Sequence, residues 1–323
     1  MTSHAHESTP LPIDRHRLIH ASVVLHAGQQ AQLLRAVRAG EVQRVRRGVY
    51  SPVGADPPRR GAESHLLTAF AAAAQRDHPV FAGYTSALLH RMPAVGAIPT
   101  QVTLLASGAS GRIRNGVVEL GRRADTIIET RDGIRLTSLA DAVLEVGRRS
   151  PLVTALAMVD AAIGRRFEGD DRPGCTLDEL VAILDRRRPF RGSRRVAAVL
   201  ARADPLAESP LESLSRLRFE EYGFPPPLSQ HEVRLVDGRT ARLDFAWPGM
   251  GVWGEADGIG KYGSSGRHSA ETVIDEKRRE DAIRAITGWR CVRWGWQDAW
   301  RGVPLARALL DAGLPTSGLA RRR

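Results

Sequence analysis

The sequence predicts a mixed α/β protein, α+β over its whole length, and three observations carry that prediction. First, Leu243, Phe245 and Trp247 alternate with Arg242, Asp244 and Ala246, the period of a strand with two different faces. Pro248-Gly249-Met250-Gly251 follows as a turn signal, and Val252 to Asp257 resumes the extended pattern, so the stretch reads as a β-hairpin. Second, the patterns around the hairpin run helix, strand, hairpin strand, helix, strand, helix, which predicts a mixed sheet with helices packed against it. Third, residues 15 to about 52 hold two short apolar-periodic segments across an Ala27-Gly28 turn, followed by the Arg-rich stretch EVQRVRRGVYSPV. Two short helices and a basic hairpin suggest a winged helix-turn-helix.

Composition narrows the classes of function. At 323 residues the chain can support two or three domains with real cores. Hydrophobic residues make up 42%, and no run approaches the roughly eighteen apolar residues that a membrane span needs. No apolar stretch of secretory type opens the chain, and its two cysteines, Cys175 and Cys291, make no disulfide framework, so the cytoplasm is the expected compartment. A net charge of +11 and a pI near 10.8 favour an anionic partner, nucleic acid before membrane.

Two asymmetries are sharper. All six tryptophans lie between Trp247 and Trp300, so the last third has its own aromatic core. Among 47 basic residues only Lys261 and Lys277 are lysines, and both flank the acidic hairpin. Arginine replaces lysine easily as a surface charge but not as a compact point charge beside a phosphate or a water.

The elements follow in order. Residues 1–14 are expected to be a disordered polar leader. In 15–53 a first helix is expected through Leu18, Ile19, Val23 and Val24, and a second from Gln29 to Ala39 with Leu33, Leu34 and Val37 inward. The second helix would offer Gln29, Gln30, Gln32, Arg35 and Arg38 to double-stranded DNA, and the hairpin Arg44, Arg46 and Arg47 to its phosphates. Equally, the unit reads as a small helical cap with a solvated basic face. Residues 62–165 read as an α/β domain. Helices are expected at Glu63–Ala74, Thr85–His90, Leu139–Val146 and Val153–Ile163, and strands at Val102–Leu105, Gly116–Gly121 and Ile134–Leu136. Its histidines, His65, His78 and His90, are scattered and carry no catalytic spacing. Residues 166–204 read as a helical connector, 205–312 as the last domain, and 313–323 as a basic tail.

With those elements in view, GVYSPV, YTSALLHRMP, IRLTSLADAVLE and MVDAAI, in this order, resemble the AbiEi antitoxin family of type IV toxin–antitoxin systems. The resemblance covers about residues 15–165. It implies a winged helix that binds a promoter through the Gln29–Arg47 region, and a cognate toxin protein as a further partner.

In the last domain, Ser209-Pro210-Leu211-Glu212 opens a helix as a capping box, with Ser209 as cap and Glu212 three residues on. A four-residue hairpin loop would pair Trp247 with Val252, setting Asp244 opposite Glu255 and Arg242 opposite Asp257. Opposed carboxylates repel, a cost that a hard divalent cation would convert into a binding site. Lys277 and Asp281 share a helical face, as a surface ion pair would.

SPLES, LDF, GEADG with Lys261-Tyr262, EKRRED and GWRCVRW resemble the DUF559/Vsr-like branch of the PD-(D/E)XK, or restriction-endonuclease-like, superfamily, over about residues 205–302. The resemblance implies Asp244 and Glu255 as ligands of Mg²⁺, with Glu212 as an acid carried on the preceding helix. It departs at Asp257, where the superfamily usually has lysine. Either the lysine has moved to Lys261 or Lys277, or the site is an acidic variant, or it is inactive. The candidate catalytic set is therefore Glu212, Asp244, Glu255, Asp257, Lys261 and Lys277. Two functions stay open: a Mg²⁺-dependent DNA endonuclease, and an antitoxin-like regulator whose nuclease fold is catalytically silent.

Overall fold

The computed structural model describes residues 9–54, 61–164, 174–257 and 270–317, with only the backbone of 270–276. The chain is mixed α/β, with twelve α-helices and several small sheets among the described residues. It divides into two compact units, Met1–Val146 and Gly147–Arg323. No described helix is long and apolar enough to cross a membrane.

The first unit opens with β1 (Ile19–His20), α1 (Ala21–His26), α2 (Gln30–Arg38), β2 (Val42–Arg46) and β3 (Val49–Pro52). The strands form one antiparallel sheet in the order β1-β3-β2. The expected first helix thus starts late, because Ile19 and His20 pair with Tyr50 and Val49. Order also begins earlier than residue 15. Asp14 accepts from the backbone N–H of His16 and Leu18 and from the His20 ring, and Leu11 packs on the core of Ile19, Val24, Leu33, Ala36 and Val42. In α2, Leu33 is buried as predicted, but Leu34 is 51% exposed and Val37 37% exposed. Ala36 takes the inward position instead, so the apolar stripe lies one step around the helix from the one inferred.

The rest of the unit holds α3 (Ala62–Ala73), α4 (Gly83–Leu89), β4 (Val102–Leu105), β5 (Arg112–Arg114), β6 (Val117–Leu120), β7 (Ile128–Arg131), β8 (Ile134–Thr137) and the start of α5 (Leu139–Arg149). One sheet runs β4-β6-β5 and another β7-β8, and Phe81 bridges to both Leu104 and Leu136. The expected helices and strands fall within a few residues of these elements; β5 and β7 are additional. His65 and His90 are buried, His65 between the Pro99 carbonyl and Thr85 Oγ1, and His90 Nε2 against the Thr137 carbonyl.

The second unit contains α6 (Leu152–Ile163), α7 (Leu177–Arg187), α8 (Ser193–Leu200), α9 (Pro210–Glu221), β9 (Leu228–Arg234), β10 (Thr240–Trp247), β11 (Val252–Ala256), α10 (Ala270–Thr287), β12 (Arg290–Trp294), α11 (Trp296–Arg301) and α12 (Val303–Asp311). Helix α6, read from sequence with the middle domain, falls in this unit. The sheet order is β12-β11-β10-β9, antiparallel except for the parallel β11–β12 pair. Its two faces carry separate cores. Phe245, Trp247, Val252 and Trp294 pack with Leu214 and Phe219 of α9 and with Leu305 and Leu309 of α12. Leu243, Ala246 and Trp253 pack with Ile283 of α10. Gly254 is required there, because a Cβ would stand 2.4 Å from the Trp294 ring.

One buried carboxylate joins three segments of this unit. Asp160 of α6 is 1% exposed and accepts from Ser213 Oγ (2.7 Å), Arg216 (3.0 Å) and the Asp204 backbone N–H (2.8 Å). Burial raises its pKa to about 6 even with the Arg216 charge beside it. Removing one partner of such a pair costs about 3–5 kcal/mol, lessened here because Arg216 keeps a second carboxylate, Asp204, at 3.5 Å. Asp160→Ala is accordingly expected to lower the unfolding free energy, read from urea denaturation, by up to that amount. A change below ~1 kcal/mol would remove the network from the stability of the unit.

Candidate functional site

The predicted acids meet where β10 and β11 part. Trp247 pairs with Val252, as the four-residue loop requires, with Pro248–Met250 as a short 3₁₀ turn and Gly251 left-handed at φ +63. The main-chain pairing then ends at Phe245–Gly254. One residue on, the Asp244 side chain takes over, its Oδ2 accepting the Ala256 backbone N–H at 2.8 Å. Asp244 therefore fills a gap between separating strands rather than facing Glu255 across a regular ladder.

The cause lies on the other neighbour. Gln230 of β9 has φ +51, and the β9–β10 pairing skips Asp244 between Leu243–His231 and Phe245–Ser229. This interruption also breaks the expected alternation. Leu243 packs on the α10 face, while Phe245 and Trp247 pack on the α9 face. A non-glycine residue in the left-handed region is uncommon. Here the side chain it directs has a use: Gln230 Nε2 donates to Glu212 Oε2 at 2.8 Å.

Glu212 is held more tightly than a capping box requires. Ser209 Oγ accepts the Glu212 N–H and donates to Glu212 Oε1 at 2.7 Å, while Oε2 accepts the Glu208 N–H at 3.0 Å. The reciprocal bond to the Ser209 backbone is replaced by the one from Glu208. Burial raises the Glu212 carboxyl to about 7, and the neighbouring Asp244 charge adds to the rise. Glu255 is likewise pushed up to about 7, by burial first and then by Asp244, with the Arg279 and Arg293 charges opposing. Asp244 thus stands between two carboxyls that its charge helps to keep protonated.

The cations there are arginines that the sequence reading passed over. Arg279 of α10 reaches Glu255 Oε1 at 3.2 Å and also donates to the Arg242 carbonyl. Arg293 lies in register with Glu255 on β12 and pairs with Asp257 at 3.3 Å. Arg242 pairs with Glu208 at 2.6 Å, so the expected Arg242–Asp257 pair is not formed. Lys277 is exposed on α10, and Asp281 pairs with Arg284 rather than Lys277. Lys261 lies outside the described residues. Arg293 is placed by the parallel pairing of β12 with β11, which the sequence does not reveal, and nothing in spacing singles out Arg279 among RREDAIR. Among the described residues, no group of three or more His, Cys, Asp or Glu is arranged to hold a metal ion. Burial pushes the Cys291 thiol up to about 12, away from the thiolate form that a nucleophile uses.

The predicted DNA contacts separate into two groups. Gln30, Arg35 and Arg38 of α2 and Arg44 and Arg47 of the hairpin are exposed. Gln29 and Gln32 are instead committed, both donating to the Thr9 carbonyl, at 2.7 and 3.0 Å. Arg46 turns inward and donates to the Asn115 carbonyl at 2.8 Å.

No protein-family profile matches the chain. Two relatives described only as uncharacterized proteins, from the CDC 1551 / Oshkosh and H37Rv strains of Mycobacterium tuberculosis, are each 31% identical over 138 residues. That alignment covers 43% of this chain and 48% of each relative, so the chain spans about half the length of the curated relatives it matches.

The raised carboxyls give a stability test. A carboxyl whose folded pKa exceeds its unfolded value makes the protein less stable as pH rises between the two. For Glu212 the window runs from its ordinary value of 4.5 to about 7, worth at most ~3 kcal/mol. Glu212→Gln should therefore melt above wild type at pH 8 without divalent cations, and the gap should close at pH 5. A gap independent of pH would show that Glu212 is not protonated by its surroundings.

Proposed function

We propose that the chain is a DNA-binding protein whose second unit carries a Mg²⁺-dependent, endonuclease-like centre that cleaves phosphodiester bonds. The observation that carries this reading is the crowding of Glu212 and Glu255 around Asp244, with both glutamates raised to about 7. Acids so placed gain from a further cation, since burial and Asp244 keep Glu255 raised even with Arg279 and Arg293 opposing. The donor set suits the ion: Mg²⁺ commonly takes one or two carboxylates and completes its shell with water and phosphate oxygens. Asp244 and Glu255 would hold it. Mg²⁺ would polarise the phosphate and lower the pKa of a bound water.

The chain's own residues supply the rest. The Ala256 N–H fixes the Asp244 carboxylate, and Gln230, Ser209 and the Glu208 N–H fix Glu212. Glu212, raised to about 7, can accept or release a proton near neutral pH. Arg279, beside Glu255, can offset charge on a phosphate that displaces its present contact. The four-stranded mixed sheet between α9 and α10 supports the PD-(D/E)XK reading. The small three-stranded sheet with α1 and α2 supports a winged helix like that of the AbiEi family, which would bring the centre to double-stranded DNA.

A second reading rests on Asp257. Its pairing with Arg293, at the position where the superfamily usually has lysine, favours an AbiEi-like regulator with a silent nuclease fold and a cognate toxin protein as partner. Incubation of wild type and Asp244→Ala with DNA in Mg²⁺, Mn²⁺ or EDTA decides between them. Cleavage by wild type is expected to stop in EDTA and to fall about 100-fold or more in the variant. Mg²⁺ should also raise the melting temperature of wild type and leave Asp244→Ala unchanged. Equal, EDTA-insensitive behaviour of the two proteins would leave only the second reading.

A further inference from the structure

The first unit contains a basic cavity that neither the acidic site nor the α2 surface accounts for. It is open to solvent, holds about 490 Å³ and is lined by four arginines, Arg76, Arg112, Arg122 and Arg135, together with His78 and Glu119. Glu119 pairs with Arg112 at 2.6 Å and with Arg76 at 3.5 Å, and the two arginines hold its carboxyl below the usual range. Arg135 donates to the His78 carbonyl at 3.1 Å. The Arg122 guanidinium is exposed and has no hydrogen bond or ion pair among the described residues. Asp77 is the other acid of the lining and is exposed. Four arginines around one space, against Glu119, which is paired, and Asp77, which is exposed, leave a positive excess. Such an excess repels itself unless an anion enters.

The cavity also continues the hairpin surface. Gln75, in its wall, donates to the Arg47 carbonyl at 2.6 Å, and the Arg76 charge acts on Arg46. Arginine forks match phosphate oxygens, and backbone phosphates are the contacts that position a protein on a duplex. We infer that this cavity binds a backbone phosphate of the same DNA that the α2 and β2–β3 surface engages, extending the footprint with a contact that is indifferent to sequence.

The inference rests on the DNA-binding reading, and one titration separates the two. Full-length wild type, Arg122→Ala and Arg122→Lys are titrated by fluorescence anisotropy against a labelled duplex from roughly 50 to 200 mM salt. Each lost phosphate contact lowers the slope of log K against log salt by about 0.9. Arg122→Ala is expected to lose about one such contact, binding unrelated duplexes uniformly weaker by roughly five- to tenfold at low salt. Arg122→Lys, which keeps the charge, should retain most of the slope. Wild-type binding with an unchanged slope in Arg122→Ala would overturn the cavity and leave the α2 surface standing. An equal loss in Arg122→Lys would also overturn it, since a phosphate contact tolerates a point charge. No binding by wild type at low salt would overturn both.

Discussion

The second unit is organised by the Asp160 carboxylate, which is almost wholly removed from water and is satisfied by the Asp204 turn and by two side chains of α9. Ser213 and Arg216 lie one turn apart on α9, so one acid fixes the rotation of that helix about its axis. With that rotation set, Glu212, the residue before Ser213, is aimed toward Gln230 and the parting strands. Asp204, whose N–H the same acid receives, also accepts from Ser229 Oγ at 2.7 Å and so connects the network to β9. Ion pairs buried this deeply are weak sources of net stability. Their use here is geometric: they hold a helix, a turn and a strand in the relation that the acidic cluster needs.

Much of this was legible in the sequence. Alternation around Leu243–Trp247 and the Pro-Gly-Met-Gly turn were enough to give the hairpin and the Trp247–Val252 register, because a loop of fixed length leaves little freedom in pairing. Periodicity and the Gly and Pro boundaries placed most helices. Elsewhere, features that no periodic pattern encodes decided the outcome. The left-handed backbone at Gln230 breaks the β10 alternation and sends Leu243 and Phe245 to opposite faces. In α2, choosing Leu34 over Ala36 as the inward residue followed hydrophobicity, whereas the small side chain is what fits. Arg279 was hidden because arginine is everywhere in this chain, and its role depends on which of several neighbours the helix turns toward Glu255.

The charge balance follows the same division. Overall the chain is strongly basic, yet its densest buried charge is acidic and lies in the second unit. The arginines of the first unit are spread over α2, the hairpin and the cavity behind it. In the second unit, arginines pair with the buried and half-buried carboxylates: Arg216 with Asp160 and Asp204, Arg279 with Glu255, Arg293 with Asp257 and Glu280. Such an arrangement separates a broad positive surface from local charge pairing.

The parallel pairing of β11 with β12 bears on the order in which the acidic cluster assembles. β10 and β11 are joined by a tight turn and can close locally, as hairpins do on the microsecond scale. β12 can join only after the intervening chain has folded back through α10, a non-local step that pays loop entropy before it gains contacts. The charges that oppose the crowding of Glu255, on Arg279 and Arg293, arrive with that later step. Until α10 and β12 dock, the hairpin carries Asp244 and Glu255 without either guanidinium. Docking of the crossover therefore both completes the sheet and brings the cations to the acids.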